Sequence, residues 1–133
     1  MREFAGDTID AGTIGTAVPT GNVGIDMTAF NGTTRAKAWL VTIIVAVATT
    51  DITVYGALAQ GNIDDSTDDI WGTHQDRHGA YPDGKLGSAL AIGTHHRIID
   101  DLGIYSRVAF VASSGAASVT IKLTEILEAG RRT

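Results

Sequence analysis

Residues 105–124 read YSRVAFVASSGAASVTIKLT and contain two runs in which apolar and polar side chains alternate. Val119, Ile121 and Leu123 occupy every second position of the later run. A period of two places one face of a β-strand on a core and the other face in water. The earlier run alternates in the same way, and Phe110 is expected in the core. A short connection of small residues separates the two runs, which predicts an antiparallel hairpin.

Residues 36–48 read AKAWLVTIIVAVA and are apolar at both odd and even positions. A strand tolerates this pattern when both of its faces are covered. The many β-branched residues lose rotamer freedom in a helix, so a strand is favoured over the alternative of a buried helix. We therefore predict a central strand, or a strand in a subunit contact, with Trp39 in the core. A further alternating run at 52–59 follows a short turn and predicts a second hairpin.

The remaining sequence is typical of an all-β protein. It contains 16 glycines but only three glutamates, so good helix formers are scarce. Residues 88–99 predict another strand, interrupted near Gly93. Apolar residues are scattered among glycines in residues 1–35, which predicts an extended N-terminal arm or edge strands. Short strands with glycine-rich turns indicate an antiparallel β-sandwich, and no linker divides residues 1–133, so we expect a single domain.

The charge balance limits the classes of partner. The chain has 15 acidic and 10 basic residues, and its net charge is -5. Binding to a nucleic-acid backbone depends largely on clustered lysine and arginine, so we expect no direct contact with nucleic acid. No apolar run reaches the ~18 residues of a membrane helix, and we expect no membrane partner. The absence of cysteine excludes disulfides and thiolate chemistry.

A long polar loop stands out at residues 61–87, which read GNIDDSTDDIWGTHQDRHGAYPDGKLG. Structureless connections beyond ~12–15 residues are unusual in a compact domain and tend to be functional or disordered. Trp71 and Tyr81 provide large contact areas in this segment, which favours a contact loop. The alternative is that both rings cap the open end of the sandwich core. We predict Phe4, Trp71 and Tyr81 as partner-binding anchors, because aromatic residues in exposed segments are frequent hot spots.

The same loop carries residue types that bind metals: Asp64, Asp65, Asp68, Asp69, His74, Asp76, His78 and Asp83. Their spacing does not fit an EF-hand loop, which needs alternate acidic positions, a central glycine and a final glutamate. His74 and His78 stand at i and i+4, but no glutamate lies between them as in the zincin motif. We therefore predict a solvated acidic loop, with no metal site and no cofactor.

Catalytic patterns are also missing from the sequence. His95 and His96 are adjacent, and neighbours on a strand point to opposite faces, so both cannot enter one site. The serines lie in no nucleophile elbow. The glycine-rich segment at 12–24 has no Walker lysine and no strand-to-helix context. We predict that the chain is not an enzyme.

The C-terminal region at 87–127 reads GSALAIGTHHRIIDDLGIYSRVAFVASSGAASVTIKLTEIL. In size and in the rhythm of strands and turns it resembles the cement or decoration proteins that clamp the capsid shells of tailed bacteriophages from outside. This resemblance implies a jelly-roll sandwich, oligomers seated at symmetry axes of the shell, and a stabilising function against internal DNA pressure. It assigns no role to any numbered residue.

The resulting hypothesis is a structural virion protein on the outer capsid surface, assembled in the host cytoplasm. Its expected partners are the major capsid protein and other copies of itself, as a dimer or trimer. Several simultaneous contacts with the shell would add up through avidity. The alternative is a carbohydrate- or receptor-binding β-sandwich module of a phage tail or fibre, with Trp71 or Tyr81 stacking on sugar and the acidic loop holding calcium. A small hydrolase using His78, His95 or His96 is the third choice.

Overall fold

The strands of the molecule follow the alternating patterns of the sequence. The computed structural model describes residues 3–21, 23–30, 36–58 and 70–128. Within them the strands are β1 (Glu3–Thr13), β2 (Ile25–Asp26), β3 (Ala36–Val45), β4 (Thr50–Leu58), β5 (Ile70–Thr73), β6 (Lys85–Leu90), β7 (Gly93–Ile99), β8 (Arg107–Ala112) and β9 (Val119–Glu128). The helices in this part of the chain are short 3-10 turns, and none is long and apolar enough to cross a membrane.

The strands form two antiparallel sheets that pack as a sandwich. The first sheet has the order β1-β9-β3-β7. The second has the order β2-β8-β4, and the far side of β4 pairs with β5 near its end and with β6 near its start. All of these pairs are antiparallel. The predicted all-β antiparallel sandwich is confirmed.

Each sheet contributes one face to a shared hydrophobic core. In β9, Val119, Ile121 and Leu123 are buried, as their alternation predicts. Trp39 and Phe110 are also buried, which confirms their predicted place. β3 lies between β9 and β7 and is the central strand that was expected. Full burial of one such aliphatic or aromatic side chain contributes ~1.5–3 kcal/mol, so this shared core is the main source of stability.

The two predicted hairpins are wrong, because the consecutive strands lie in opposite sheets. β3 belongs to the first sheet and β4 to the second, whereas β8 belongs to the second and β9 to the first. The strand expected at 88–99 is in fact two strands, β6 and β7, which are also in opposite sheets. Where the chain passes from one sheet to the other, the buried faces of two consecutive strands pack against each other in the core. Alternation identifies the buried face of a strand but not the sheet that the strand joins.

The N-terminal segment is an edge strand of the first sheet rather than a free arm. β1 pairs with β9 along its length, and Ile9 packs against the core. These contacts offset the entropy lost when the segment is ordered. The expectation of an extended arm is therefore wrong for residues 3–13, and the alternative of an edge strand holds there. Residues 31–35 of the predicted arm lie outside the described residues.

The segment expected to be a long contact loop, residues 61–87, contains regular structure. Residues 61–69 lie outside the described part, and residues 70–87 include β5 and the beginning of β6. Both strands pair with β4. The described portion of this segment is therefore built into the second sheet, where its short strands complete one side of β4.

Candidate interaction surface

The three predicted anchors lie on three different elements and differ in exposure. Phe4 stands near the start of β1, opposite Leu127 of β9, and is 47% exposed. Trp71 on β5 is half-buried, and its Nε1 donates a 2.9 Å hydrogen bond to the carbonyl oxygen of Gly21. Tyr81 is half-buried and packs against the core. Phe4 is thus the most accessible of the three side chains, whereas Trp71 and Tyr81 make contacts within the fold.

Large apolar side chains are exposed at both ends of the sandwich. Leu58 and Ile70 are cross-strand neighbours where β4 finishes, and they are 53% and 56% exposed. Val47 and Ile92 lie in turns at the opposite end, where β3 finishes and β7 begins, and they are 60% and 62% exposed. Neighbouring exposed apolar side chains indicate a contact site, whereas single exposed apolar residues are normal on protein surfaces. Sequence reasoning missed both groups, because their members come together only when the strands pair.

One open side of the sandwich, between β6 and β7, is bridged by polar groups. Arg97 on β7 donates from Nε to the carbonyl oxygen of Leu86 on β6 at 2.9 Å. Its Nη1 donates to the carbonyl oxygen of His96, also at 2.9 Å. His95 lies on the same face of β7, and its Nε2 is 2.8 Å from the carbonyl oxygen of Ala91. A guanidinium therefore ties the two sheets together on this side, which we call the β6–β7 side.

The opposite open side, between β1 and β8, contains a cavity of about 660 Å³. Its walls come from β1, β8 and the connection between β1 and β2, and aliphatic side chains such as Ile9, Ile14, Val18 and Val23 line it. The size lies within the ~300–1,000 Å³ range of ligand pockets. Sequence reasoning assigned the glycines of 12–24 to turns and close packing and gave no indication of this cavity.

The cavity lies between the two places where the segment after β1 contacts the edge of β8. One contact is at Gly15 and the other is at β2. The amide of Ala112 donates to the carbonyl oxygen of Gly15 at 3.0 Å, and β2 pairs only with the start of β8. Backbone groups of alternate residues in a strand point to the same edge, so Phe110 directs its amide and carbonyl to the edge that Ala112 uses. No hydrogen bond of the described residues engages Phe110 there. Among the described residues, β8 therefore has hydrogen-bonded neighbours on this edge at its start and at its end.

A buried carboxylate lies at the same end of the sandwich as Leu58. Glu125 is 1% exposed, and its Oε1 accepts a 3.0 Å hydrogen bond from the amide of Asp7. A bulge in β1 and the lack of a side chain at Gly6 allow this approach, since a Cβ at Gly6 would lie 3.2 Å from Oε1. Within the described part of the chain, Oε2 of Glu125 and Nε1 of its cross-strand neighbour Trp39 are buried without hydrogen bonds. Such groups cost ~1–3 kcal/mol each, so this is a locally weak region.

His74, which the sequence offered as a metal-ligand type, is fully buried next to Tyr105. Its Nδ1 is 2.8 Å from the hydroxyl oxygen of Tyr105, and the two rings meet edge to face at 5.4 Å. Burial lowers the pKa of His74, and the backbone of Asp100 opposes this shift. Burial also raises the pKa of Tyr105. The pair is therefore a neutral packing unit at neutral pH.

The other polar candidates make local contacts or lie outside the described residues. Nε2 of His78 lies 3.2 Å from a carboxylate oxygen of Asp100, and Arg77 forms an ion pair with Asp101. Asp64, Asp65, Asp68 and Asp69 lie outside the described residues. Among the described residues, no group of three or more histidines and acidic residues could hold a metal. His95 is half-buried whereas His96 is exposed, in agreement with their predicted opposite directions.

Comparison of the chain with models of protein families, with curated proteins and with solved structures found no match.

Proposed function

We propose that this chain is a structural protein of a tailed-bacteriophage virion, which binds the outer surface of the capsid and stabilises it by bridging major capsid protein subunits. The observation that carries the proposal is the exposure of apolar side chains at both ends of one small sandwich. Leu58 and Ile70 supply one end, and Val47 and Ile92 supply the other. A bridging protein needs two separate contacts, and this arrangement offers one at each end.

The order of the strands supports the same proposal. If β5 and β6 count as one interrupted strand, the two sheets read β1-β9-β3-β7 and β2-β8-β4-β5/β6. Eight strands in two sheets, with every successive strand except β5/β6 crossing to the other sheet, agree with a jelly roll, a fold common in viral capsid proteins. This is the architecture that the resemblance to cement and decoration proteins implies.

The mechanism follows from two contacts acting together. Each end buries a modest apolar area against a different capsid subunit, and the second contact forms at the high effective concentration set by the first. Association into dimers or trimers multiplies the contacts further. Separation of the subunits then requires several contacts to break together, which raises the temperature at which the shell opens.

The test is to add purified protein to mature shells that lack it and to measure binding and the temperature of shell opening. We expect saturable binding and a higher opening temperature. A variant altered at one end, Leu58→Asp with Ile70→Asp or Val47→Asp with Ile92→Asp, should bind more weakly and stabilise little. Shells that open at the same temperature with and without bound protein would contradict the proposal. Saturable glycan binding that EDTA abolishes, with no shell binding, would favour the receptor-binding alternative instead.

A further inference from the structure

We propose that the β6–β7 side is a binding site for a carboxylate, which the guanidinium of Arg97 holds in the gap between the two sheets. The carboxylate belongs either to an acidic side chain of a partner protein or to a small free acid. The site is assigned from the donors of Arg97 and is separate from the apolar ends that carry the proposed function. It rests on that function only for the capsid protein as a source of the acidic side chain.

Arg97 has more hydrogen-bond donors than the fold uses. Its Nε donates to the carbonyl oxygen of Leu86, and its Nη1 donates to the carbonyl oxygen of His96, each at 2.9 Å. A guanidinium carries five N–H groups, so one on Nη1 and both on Nη2 remain. Within the described part of the chain these remaining groups have no acceptor, and Nη2 is not among the buried polar atoms. Nη1 and Nη2 therefore present neighbouring N–H groups to the solvent.

The positive charge of Arg97 is also uncompensated. Its two carbonyl contacts require donors but no charge. Other described cations have acidic partners, since Arg77 pairs with Asp101 and Nζ of Lys85 lies 3.6 Å from a carboxylate oxygen of Asp51. Among the described residues, none places a carboxylate in an ion pair with Arg97, although the guanidinium is half-buried. A partly buried charge is stabilised by an opposite charge, so an anion from outside would complete the site.

The shape and charge of the donor group select the class of anion. Neighbouring N–H groups of a guanidinium match the two oxygens of a carboxylate, and such paired contacts are stronger and more specific than single ones. The one permanent positive charge of Arg97 balances the single charge of a carboxylate better than the double charge of a phosphate. His95 lies two residues away on the same face of β7, and its Nε2 is 2.8 Å from the carbonyl oxygen of Ala91. This contact holds the imidazole in place beside the site.

The experiment compares three variants on three probes. Arg97→Met removes the guanidinium, and Arg97→Lys keeps the charge but loses the paired donors. Lys122→Met is the matched control, because it removes one positive charge from an exposed position on the outer face of β9. The probes are sodium acetate and sodium phosphate, followed by NMR at constant ionic strength, and the shell that lacks this protein. Circular dichroism and thermal unfolding establish that each variant is folded.

We expect wild type and Lys122→Met to bind acetate saturably and with equal affinity. Arg97→Met should bind acetate about tenfold or more weakly, and Arg97→Lys ~3–10-fold more weakly, since only the charge remains. Equal acetate affinity for Arg97→Met and Lys122→Met would overturn the site. Phosphate that binds wild type more tightly than acetate would overturn the assignment of a carboxylate.

The shell distinguishes the two sources of the carboxylate. If Arg97→Met binds shells about tenfold more weakly than Lys122→Met does, the source is an acidic side chain of the capsid protein. If the two variants bind shells alike while only Arg97→Met loses acetate, the ligand is a free carboxylic acid. If wild type binds acetate through Arg97 but ignores shells, the proposed function fails while the site stands. If wild type binds shells but no acetate, the site is refuted while the proposed function stands.

A second measurement uses the wild-type protein alone and does not depend on variant folding. NMR resonances of arginine side-chain N–H groups report directly on their hydrogen-bond partners. Acetate should shift the resonances of Arg97 more than those of Arg77, whose guanidinium already pairs with Asp101. Resonances of Arg97 that stay unchanged, or that move no more than those of Arg77, would overturn the proposal.

Discussion

On each open side of the sandwich, the edges of the two sheets leave a gap. Different chemical groups occupy the two gaps. On the β6–β7 side, Arg97 reaches from one sheet to the carbonyl oxygen of Leu86 on the other, and His95 adds a polar contact to the carbonyl oxygen of Ala91. On the β1–β8 side, aliphatic side chains surround a cavity. The amide of Ile14 donates to the carbonyl oxygen of Val119, and the amide of Ala112 donates to the carbonyl oxygen of Gly15, so backbone bonds tie the connection after β1 to both sheets here. The two sides therefore differ in that side chains bridge the first and backbone hydrogen bonds close the second.

The largest effect is expected where the open side meets the core. Phe110 is 5% exposed, belongs to the core and also lines the cavity. Phe110→Ala would join the cavity to the core and should lower the free energy of unfolding by ~3–5 kcal/mol, measured by urea denaturation. Phe110→Leu is the matched control and should cost less than ~1.5 kcal/mol. Equal and small losses for both variants would show that the cavity is not separated from the core by this ring.

A smaller loss is expected on the bridged side. Arg97→Met keeps an apolar stem of similar length but removes the hydrogen bond to the carbonyl oxygen of Leu86. The free energy of unfolding should fall by ~1.5 kcal/mol, which is at the lower limit for a hydrogen bond from a charged donor because Arg97 is only half-buried. Arg97→Lys should recover part of this loss, since one donor remains. An unchanged stability of Arg97→Met would mean that the two sides do not differ in the way described.

The buried histidine of the second sheet makes stability depend on pH. Because burial lowers the pKa of His74 in the folded protein, the unfolded chain binds the proton more readily. The stability due to neutral His74 is complete above pH ~6.5, the ordinary histidine value, and is lost as the pH falls through the lower pKa of the folded state. Urea denaturation above and below this pH should show a smaller loss for His74→Gln than for wild type. The same pH dependence in both proteins would contradict this assignment.

The smallest effect on stability is expected at the mouth of the open side. Val18 is 60% exposed, so Val18→Asp should change the free energy of unfolding by less than ~0.5 kcal/mol. Thermal unfolding provides the measurement. A loss of several times this size would show that Val18 supports the fold, and the contrast between the bridged side and the cavity side would weaken.

The sequence predicts the faces of strands better than their partners. Alternation placed Val119, Ile121 and Leu123 in the core, and the same period extended by one step points Glu125 inward, where it is found buried. The choice of sheet depends on contacts between distant residues, so the two hairpins were wrong. The cavity was not predictable either, because its walls include β1 and β8, which lie about a hundred residues apart in the sequence.

The candidate anchors show the same limit. Trp71 and Tyr81 were recognised as aromatic residues in a polar segment, but their burial depends on Gly21 and on the core, which lie far from them in the sequence. The exposed groups at the two ends were missed for the corresponding reason. Leu58 and Ile70 become neighbours only through the pairing of β4 with β5.

The pairing of β1 with β9 has a consequence for synthesis on the ribosome. The hydrogen bond between the hydroxyl groups of Thr8 and Thr124 joins residues separated by 116 positions, and the one from Asp7 to Glu125 spans 118. β1 is therefore synthesised long before β9, and the first sheet cannot close until β9 has been made. Contacts so distant in sequence slow folding, and the waiting strand exposes an unpaired edge to other nascent chains. Production at low temperature and low expression level should therefore raise the fraction of chains that reach the folded sandwich.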